Sequence, residues 1–254
     1  NVAGTSNVGA SDCTLIGQAA GNSNTAIGLT ALGKNAGNSN AAVGATAIGV
    51  DAGANMAATA TDSVVIGKTA GQNNEAINAV FIGKNTGNAA TATALDSIAI
   101  GKDAGSVVQA PHSIFIGSEA GQNCAARDTG PFFPIDALIA IGWKAMRAST
   151  KSSNNIAIGE SALENNVSLR NIAIGTQTLQ NNVLDDNIAI GSNAGTNYAG
   201  DLSILIGFQA GQSAAGTGMI AMGVNAAANQ YGNNLIAIGD SSGDNNGGNL
   251  NYNQ

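Results

Sequence analysis

The chain has 254 residues, a formal net charge of −7, 10% charged and 4% aromatic residues, and 35 glycines. That balance excludes the clustered Lys and Arg of a nucleic-acid surface, and charge this sparse does not describe a disordered polar chain. No apolar run reaches the roughly 18 residues of a membrane-spanning helix, so no membrane insertion is expected.

All nine basic residues fall between Lys34 and Arg170, leaving only acids beyond that point. The chain opens on Asn1 with no basic-then-apolar leader, as a mature or trimmed product would. Residues 1–12 contain no recognisable repeat and read as an N-terminal cap or connector.

From residue 13 to 243 one unit recurs. Its marker is a Gly that closes an apolar triplet, first at Gly17, Gly33, Gly49 and Gly67 and last at Gly239, fourteen times in all. Successive markers lie 16–18 residues apart, except for 25 between Gly117 and Gly142. So short a fixed period predicts a stack of identical units, with few positions free to build a unique pocket. An enzyme is not expected on that ground.

Within a unit, the three residues before the marker read Ile98-Ala99-Ile100, Ile156-Ala157-Ile158 or Ile172-Ala173-Ile174. Elsewhere they vary to Val80-Phe81-Ile82 or Ile204-Leu205-Ile206. Alternating β-branched residues predict a strand of four or five residues, and the Gly at its end permits a bend. In ten units a second Gly follows four residues after the marker, and Asn- or Gln-rich turns come next. The unit therefore reads strand, bend, short second strand, turn. The prediction is an all-β parallel β-solenoid, or β-roll, of about 14 coils with a 16-residue repeat, about 65 Å long at ~4.8 Å per coil. Ser63, Ser97, Ser113, Asn155, Asn171, Asn187 and Ser203 precede their strands and predict a hydrogen-bonded ladder at a corner.

Both faces of the strand are apolar, and such strands are covered on both sides. The bulky Ile positions are expected inside the coil. The middle residues, with Ala99, Ala157, Ala173, Ala189 and Ala237 as examples, are expected outside, as the contact surface of an obligate homo-oligomer. Cys13 and Cys124 lie six units apart, about 29 Å, too far for a disulfide.

Phrases such as Asn24-Thr25-Ala26-Ile27-Gly28 and Asn187-Ile188-Ala189-Ile190-Gly191 resemble two related repeat groups. These are the head domains of trimeric autotransporter adhesins and the repeat regions of bacteriophage tail fibres, the latter matching the 16-residue period better. The resemblance implies a left-handed roll, intertwined or packed as a trimer, at an extracellular site such as a virion tail fibre or cell-surface appendage. It also implies a role in attachment to a cell-surface polysaccharide or protein receptor. A purely structural subunit stacking end to end into a filament is the alternative.

The long interval inserts a loop at about 122–137 that includes Arg127, Phe132 and Phe133 between prolines. Insertions in a solenoid emerge as surface loops, often on the binding face. Trp143 and Lys144 follow directly, and with these three they form the candidate receptor contact; packing within the oligomer is the competing role. Lys34, Lys68, Lys84 and Lys102 occupy the position just after the marker and suit a solvated, aggregation-blocking column or an acidic polysaccharide. His112 is the only histidine and no calcium repeat recurs, so no catalytic, cofactor or metal site is expected. Residues 244–254 form an Asn/Gly-rich tail anchored only by Leu250 and Tyr252.

Overall fold

The computed structural model describes residues 3–7, 9–91, 94–107, 110–126 and 137–244. It has the expected all-β parallel solenoid, with no helix among the described residues. The chain divides into two compact units, Asn1–Ala125 with Ile135–Ala137, and Ala126–Pro134 with Leu138–Gln254.

In the first unit, β1 (Thr14–Ile16), β2 (Thr30–Leu32), β3 (Thr46–Ile48), β4 (Val64–Ile66), β5 (Val80–Ile82), β6 (Ile98–Ile100) and β7 (Ile114–Ile116) pair in sequence. Every pair is parallel and in register, with equivalent residues of successive coils opposite each other. The short β8 (Ala125–Ala126) and β10 (Thr150–Ser152) stand on either side of β9 (Ile139–Ile141) in the chain. In the second unit β9 is followed by β11 (Ile156–Ile158), β12 (Ile172–Ile174), β13 (Ile188–Ile190), β14 (Ile204–Ile206), β15 (Ile220–Met222) and β16 (Ile236–Ile238), again parallel and in register.

The strands that end at marker glycines are three residues long, shorter than the sequence predicts, and the second strand is largely absent. After Gly175, for example, Gln177, Leu179 and Asn181 have φ of 56°, 49° and 60°. Left-handed residues at every second position curl the chain, which lets sixteen residues close one coil. Hydrogen bonding between coils continues regardless: Gln177 N donates to Glu160 O at 2.7 Å and Leu179 N to Ala194 O at 2.9 Å. The second strand survives in a few coils only, as the short β8 and β10 and as isolated bridges such as Ala199 to Ala215 and Ala215 to Tyr231.

The marker glycine is required twice over. Gly142 has φ +134°, and a Cβ built on it would stand 2.5 Å from the carbonyl oxygen of Gly159 on the next coil. Side chains rarely adopt that backbone, and none fits that gap.

The interior corrects the predicted orientation of the strand. The middle residue, including Ala99, Ala157, Ala173, Ala189, Leu205, Phe81 and Phe115, is fully buried inside its own coil, whereas the flanking Ile residues face outward. A coil closed by left-handed turns encloses a lumen too narrow for two Ile side chains per strand. In some coils two positions of that lumen trade volume. Phe115 is matched by Gly121, where a Cβ would fall inside the ring, and Leu205 by Gly211. Ala140, Ala157 and Ala173 are matched instead by buried Met146, Leu163 and Leu179. Those three hold left-handed backbone, φ 49–52°, a cost that burial of a large apolar side chain offsets.

Polar ladders seal the corners. Asn171 N donates to Asn155 Oδ1 at 2.7 Å, Asn187 N to Asn171 Oδ1 at 2.9 Å, Ser203 N to Asn187 Oδ1 at 3.1 Å and Met219 N to Ser203 Oγ at 2.9 Å. Tyr198 takes a place held by buried Asn166 and Asn182 in earlier coils. Its hydroxyl lies 2.7 Å from Ser203 Oγ and donates to the Gly216 carbonyl. Burial pushes its pKa up, with the Asp201 charge adding to this and the Ser203 hydroxyl opposing it.

The compensation inside the lumen is testable. Gly121→Ala drives a methyl into Phe115 and destabilises the protein, and Phe115→Ala opens a cavity that costs about 3–5 kcal/mol. The double variant is expected to be more stable than the sum of the two predicts, by about 1–3 kcal/mol in denaturant unfolding. Strict additivity would mean that the two residues do not share one volume.

Candidate functional site

With the small residues turned inward, the outer face of the sheet presents two Ile-rich columns. In the second unit the column just before the marker runs through Ile141, Ile158, Ile174, Ile190, Ile206 and Met222. Its central members Ile158, Ile174 and Ile190 are 36–38% exposed although a coil stacks on each side of them. The companion column two residues earlier includes Ile156, Ile172, Ile188 and Ile204. In the first unit the companion column begins as Thr14, Thr30 and Thr46 and becomes Val64, Val80, Ile98 and Ile114. A regular array of β-branched side chains on a sheet, open to solvent, is an apolar surface of the kind that marks an interaction site.

The alanines predicted to meet neighbouring subunits do not lie on this surface. Ala99, Ala157, Ala173 and Ala189 are 0% exposed and Ala237 is 1% exposed within the single chain, so no partner can reach them. Size misled the orientation: bulk signals the interior of a globular core, but here the lumen accepts only what its closure leaves room for.

Beyond the marker glycine the chain bends, and the next residue points outward from every coil for which it is described. Lys34, Lys68, Lys84 and Lys102 stand there, exposed, in the first unit. Lys102 Nζ is 3.4 Å from Asp103 Oδ2, and the column directly beside the lysines carries Asp51, Asp103 and Glu119. Acids thus share this side of the unit with the lysines.

In the second unit the same position holds Trp143, Glu160, Thr176, Ser192, Phe208, Val224 and Asp240. Trp143 is 46% exposed and Phe208 47%. Lys144 Nζ lies 4.2 Å from the centroid of the Trp143 ring, a cation–π contact that steadies the indole. Phe208 was not singled out from the sequence. Alignment on the marker would have found it, because it follows Gly207 as Trp143 follows Gly142. Arg127, Phe132 and Phe133 lie outside the described residues.

Charged groups elsewhere tie coils together. Glu164 is 5% exposed and accepts hydrogen bonds from Arg147 Nε at 2.8 Å and Gln180 Nε2 at 2.9 Å. Burial alone would raise its pKa, but hydrogen bonds from Ser161, Arg147 and Gln180 and the Arg147 charge outweigh it and hold the carboxyl below its ordinary value. Arg170 grips Asp186 through both carboxylate oxygens, at 2.6 and 2.7 Å, on an exposed corner. His112 Nε2 is 3.6 Å from Asp96 Oδ2 on the surface. Exposed Asn165, Asn181 and Asn197 form a short amide ladder at 3.0–3.1 Å.

Among the described residues no group of three His, Cys, Asp or Glu side chains is placed to hold a metal ion. No helix among them is long and apolar enough to cross a membrane. No protein-family model and no curated protein matches this chain.

The Glu164 cluster sets a pH dependence. Its folded-state pKa lies below the unfolded one, near 4.3, so its stabilisation is complete above that pH and is lost as pH falls through the native value. Glu164→Gln is expected to destabilise the protein at pH 7 by about 1–3 kcal/mol. It should also flatten the decline of melting temperature in acid. Parallel melting curves for both proteins between pH 6 and 3 would show that Glu164 has no part in acid sensitivity.

Proposed function

We propose that this chain is an extracellular fibre or adhesin segment, a β-roll that assembles with two further copies of itself and attaches to a cell-surface glycan or protein receptor. A phage tail fibre is the favoured setting. The observation that carries the reading is the outward Ile surface. Each sixteen-residue coil encloses a small lumen filled mostly by Ala, so much of the apolar material of the repeat is left on the outside. Covering it with equivalent surfaces of identical chains supplies the missing burial, and a closed symmetric assembly leaves none of it open. Resemblance of the Ala-Ile-Gly phrases to tail-fibre and adhesin-head repeats supports the same assignment. The short repeat, with its unbroken ladders and its scarcity of varied side chains, suits a scaffold better than a catalytic pocket.

Sedimentation equilibrium is expected to give a trimer. Ile174→Lys combined with Ile190→Lys, two outward neighbours on successive coils, should shift the protein towards monomer and lower its melting temperature, because each ammonium would be buried in an apolar contact without a partner. A wild-type protein that sediments as a folded monomer would overturn the assembly. An unchanged trimer in the double variant would move the interface off this face.

A further inference from the structure

We infer that the position after the marker glycine, on the second unit, is a glycan-binding strip that takes an uncharged oligosaccharide lying parallel to the coil stack. This rests on the attachment reading above and names the class of receptor it would use.

The strip begins at Trp143 and ends at Phe208, with Glu160, Thr176 and Ser192 between them, one residue per coil. The two rings are the large aromatic side chains of this column, and each is nearly half exposed. Four coil steps separate them, about 19 Å. An extended sugar chain advances by a similar distance per residue as the stack does per coil, so two rings four steps apart can cover two sugars of one strand. The carboxylate and hydroxyls between the rings supply acceptors and donors for sugar hydroxyls at the intervening levels.

The strip is also rigid. Backbone carbonyls of its residues accept from the next coil at every level: Ser161 N to Trp143 O at 2.9 Å, Gln177 N to Glu160 O at 2.7 Å, Asn193 N to Thr176 O at 2.8 Å and Gln209 N to Ser192 O at 3.0 Å. Spacing fixed in this way costs a ligand little ordering of the protein. Lys144 lies over the indole, and Trp143 keeps nearly half of its surface exposed.

Charge chooses the class of sugar. Glu160 sits exposed inside the strip, and Lys144, the cation beside it, is engaged on the indole. A polyuronate or sulfated chain would lie against that carboxylate. An uncharged chain gains a hydrogen-bond acceptor from it instead. The strip lies beyond the marker glycine, past the end of the strand that carries the Ile surface.

Trp143 is the single tryptophan of the chain, so its emission reports on this strip alone. The assembled protein is titrated with uncharged hexasaccharides, a β-1,4-glucan, an α-1,4-glucan and a β-1,4-N-acetylglucosamine oligomer, and with a hexauronate. At least one uncharged hexamer is expected to shift Trp143 emission saturably, and the hexauronate to bind more weakly. Phe208→Ala, remote from the fluorophore, should weaken the hexamer at least about tenfold. It should leave the corresponding disaccharide, too short to span the rings, unaffected, while Phe208→Tyr retains hexamer binding. Any of three results overturns the strip: no uncharged hexamer perturbs Trp143, Phe208→Ala binds the hexamer as wild type does, or acrylamide fails to quench Trp143 in the assembled protein. Attachment itself is scored separately. Cells bound equally by wild type and by Trp143→Ala/Phe208→Ala would retain the attachment reading while removing the strip, and wild type that binds no cells would remove the attachment reading.

Discussion

Within each unit, successive coils approach so closely at one corner that the α-carbon of one marker glycine lies against the carbonyl of the next. Gly159 over Gly175 and Gly207 over Gly223 repeat the geometry of Gly142 over Gly159. No side chain fits between them, and the positive φ needed to turn there excludes other residues as well. Everything else in a unit is timed from that corner. The strand must end before it, the left-handed turns must bring the chain back to it, and the lumen is whatever space remains.

The narrowness of that lumen explains the chemistry of both sides of the sheet. Inside, residues trade volume locally: Phe115 requires Gly121, whereas Ala173 allows Leu179. Compensation of this kind belongs to a close-packed interior in which a single methyl is felt. Outside, β-branched residues are retained because a parallel strand favours them, yet they find no cover within the chain. A repeat that stacks so well along its axis is left incomplete sideways. That uncovered face is what the proposed assembly would cover.

Identical positions in a stack become columns, and columns convert single side chains into surfaces. The buried Asn and Ser ladders use this to satisfy corner backbone groups from coil to coil. Columns on the outside have the same regular spacing but are free to vary in chemistry. Lysines occupy one position in the first unit, while aromatic and polar residues occupy the equivalent position in the second. Variation on a fixed lattice is a simple way to place recognition groups without disturbing the fold.

The sequence by itself determined the period, the parallel register, the location of each strand and the polar corner ladder. Those features are encoded in local requirements: glycine where φ is positive, β-branched residues where the chain is extended, and Asn or Ser where a backbone group needs a partner. It also located Trp143 on the outside, since the residue after each marker is polar in most units. Only the tertiary structure decided which face of the strand is the interior. Alternation tells two faces apart but does not say which is enclosed when both are apolar, and the usual guide, more bulk inside, fails where the enclosed face is the one residue per strand that is most often Ala. The same closure replaced the second strand by left-handed turns, because sixteen residues returning to their start need more curvature than an extended segment provides. Phe208 acquired meaning only when stacking set it on the same column as Trp143, since proximity there is measured in coils and not in residues.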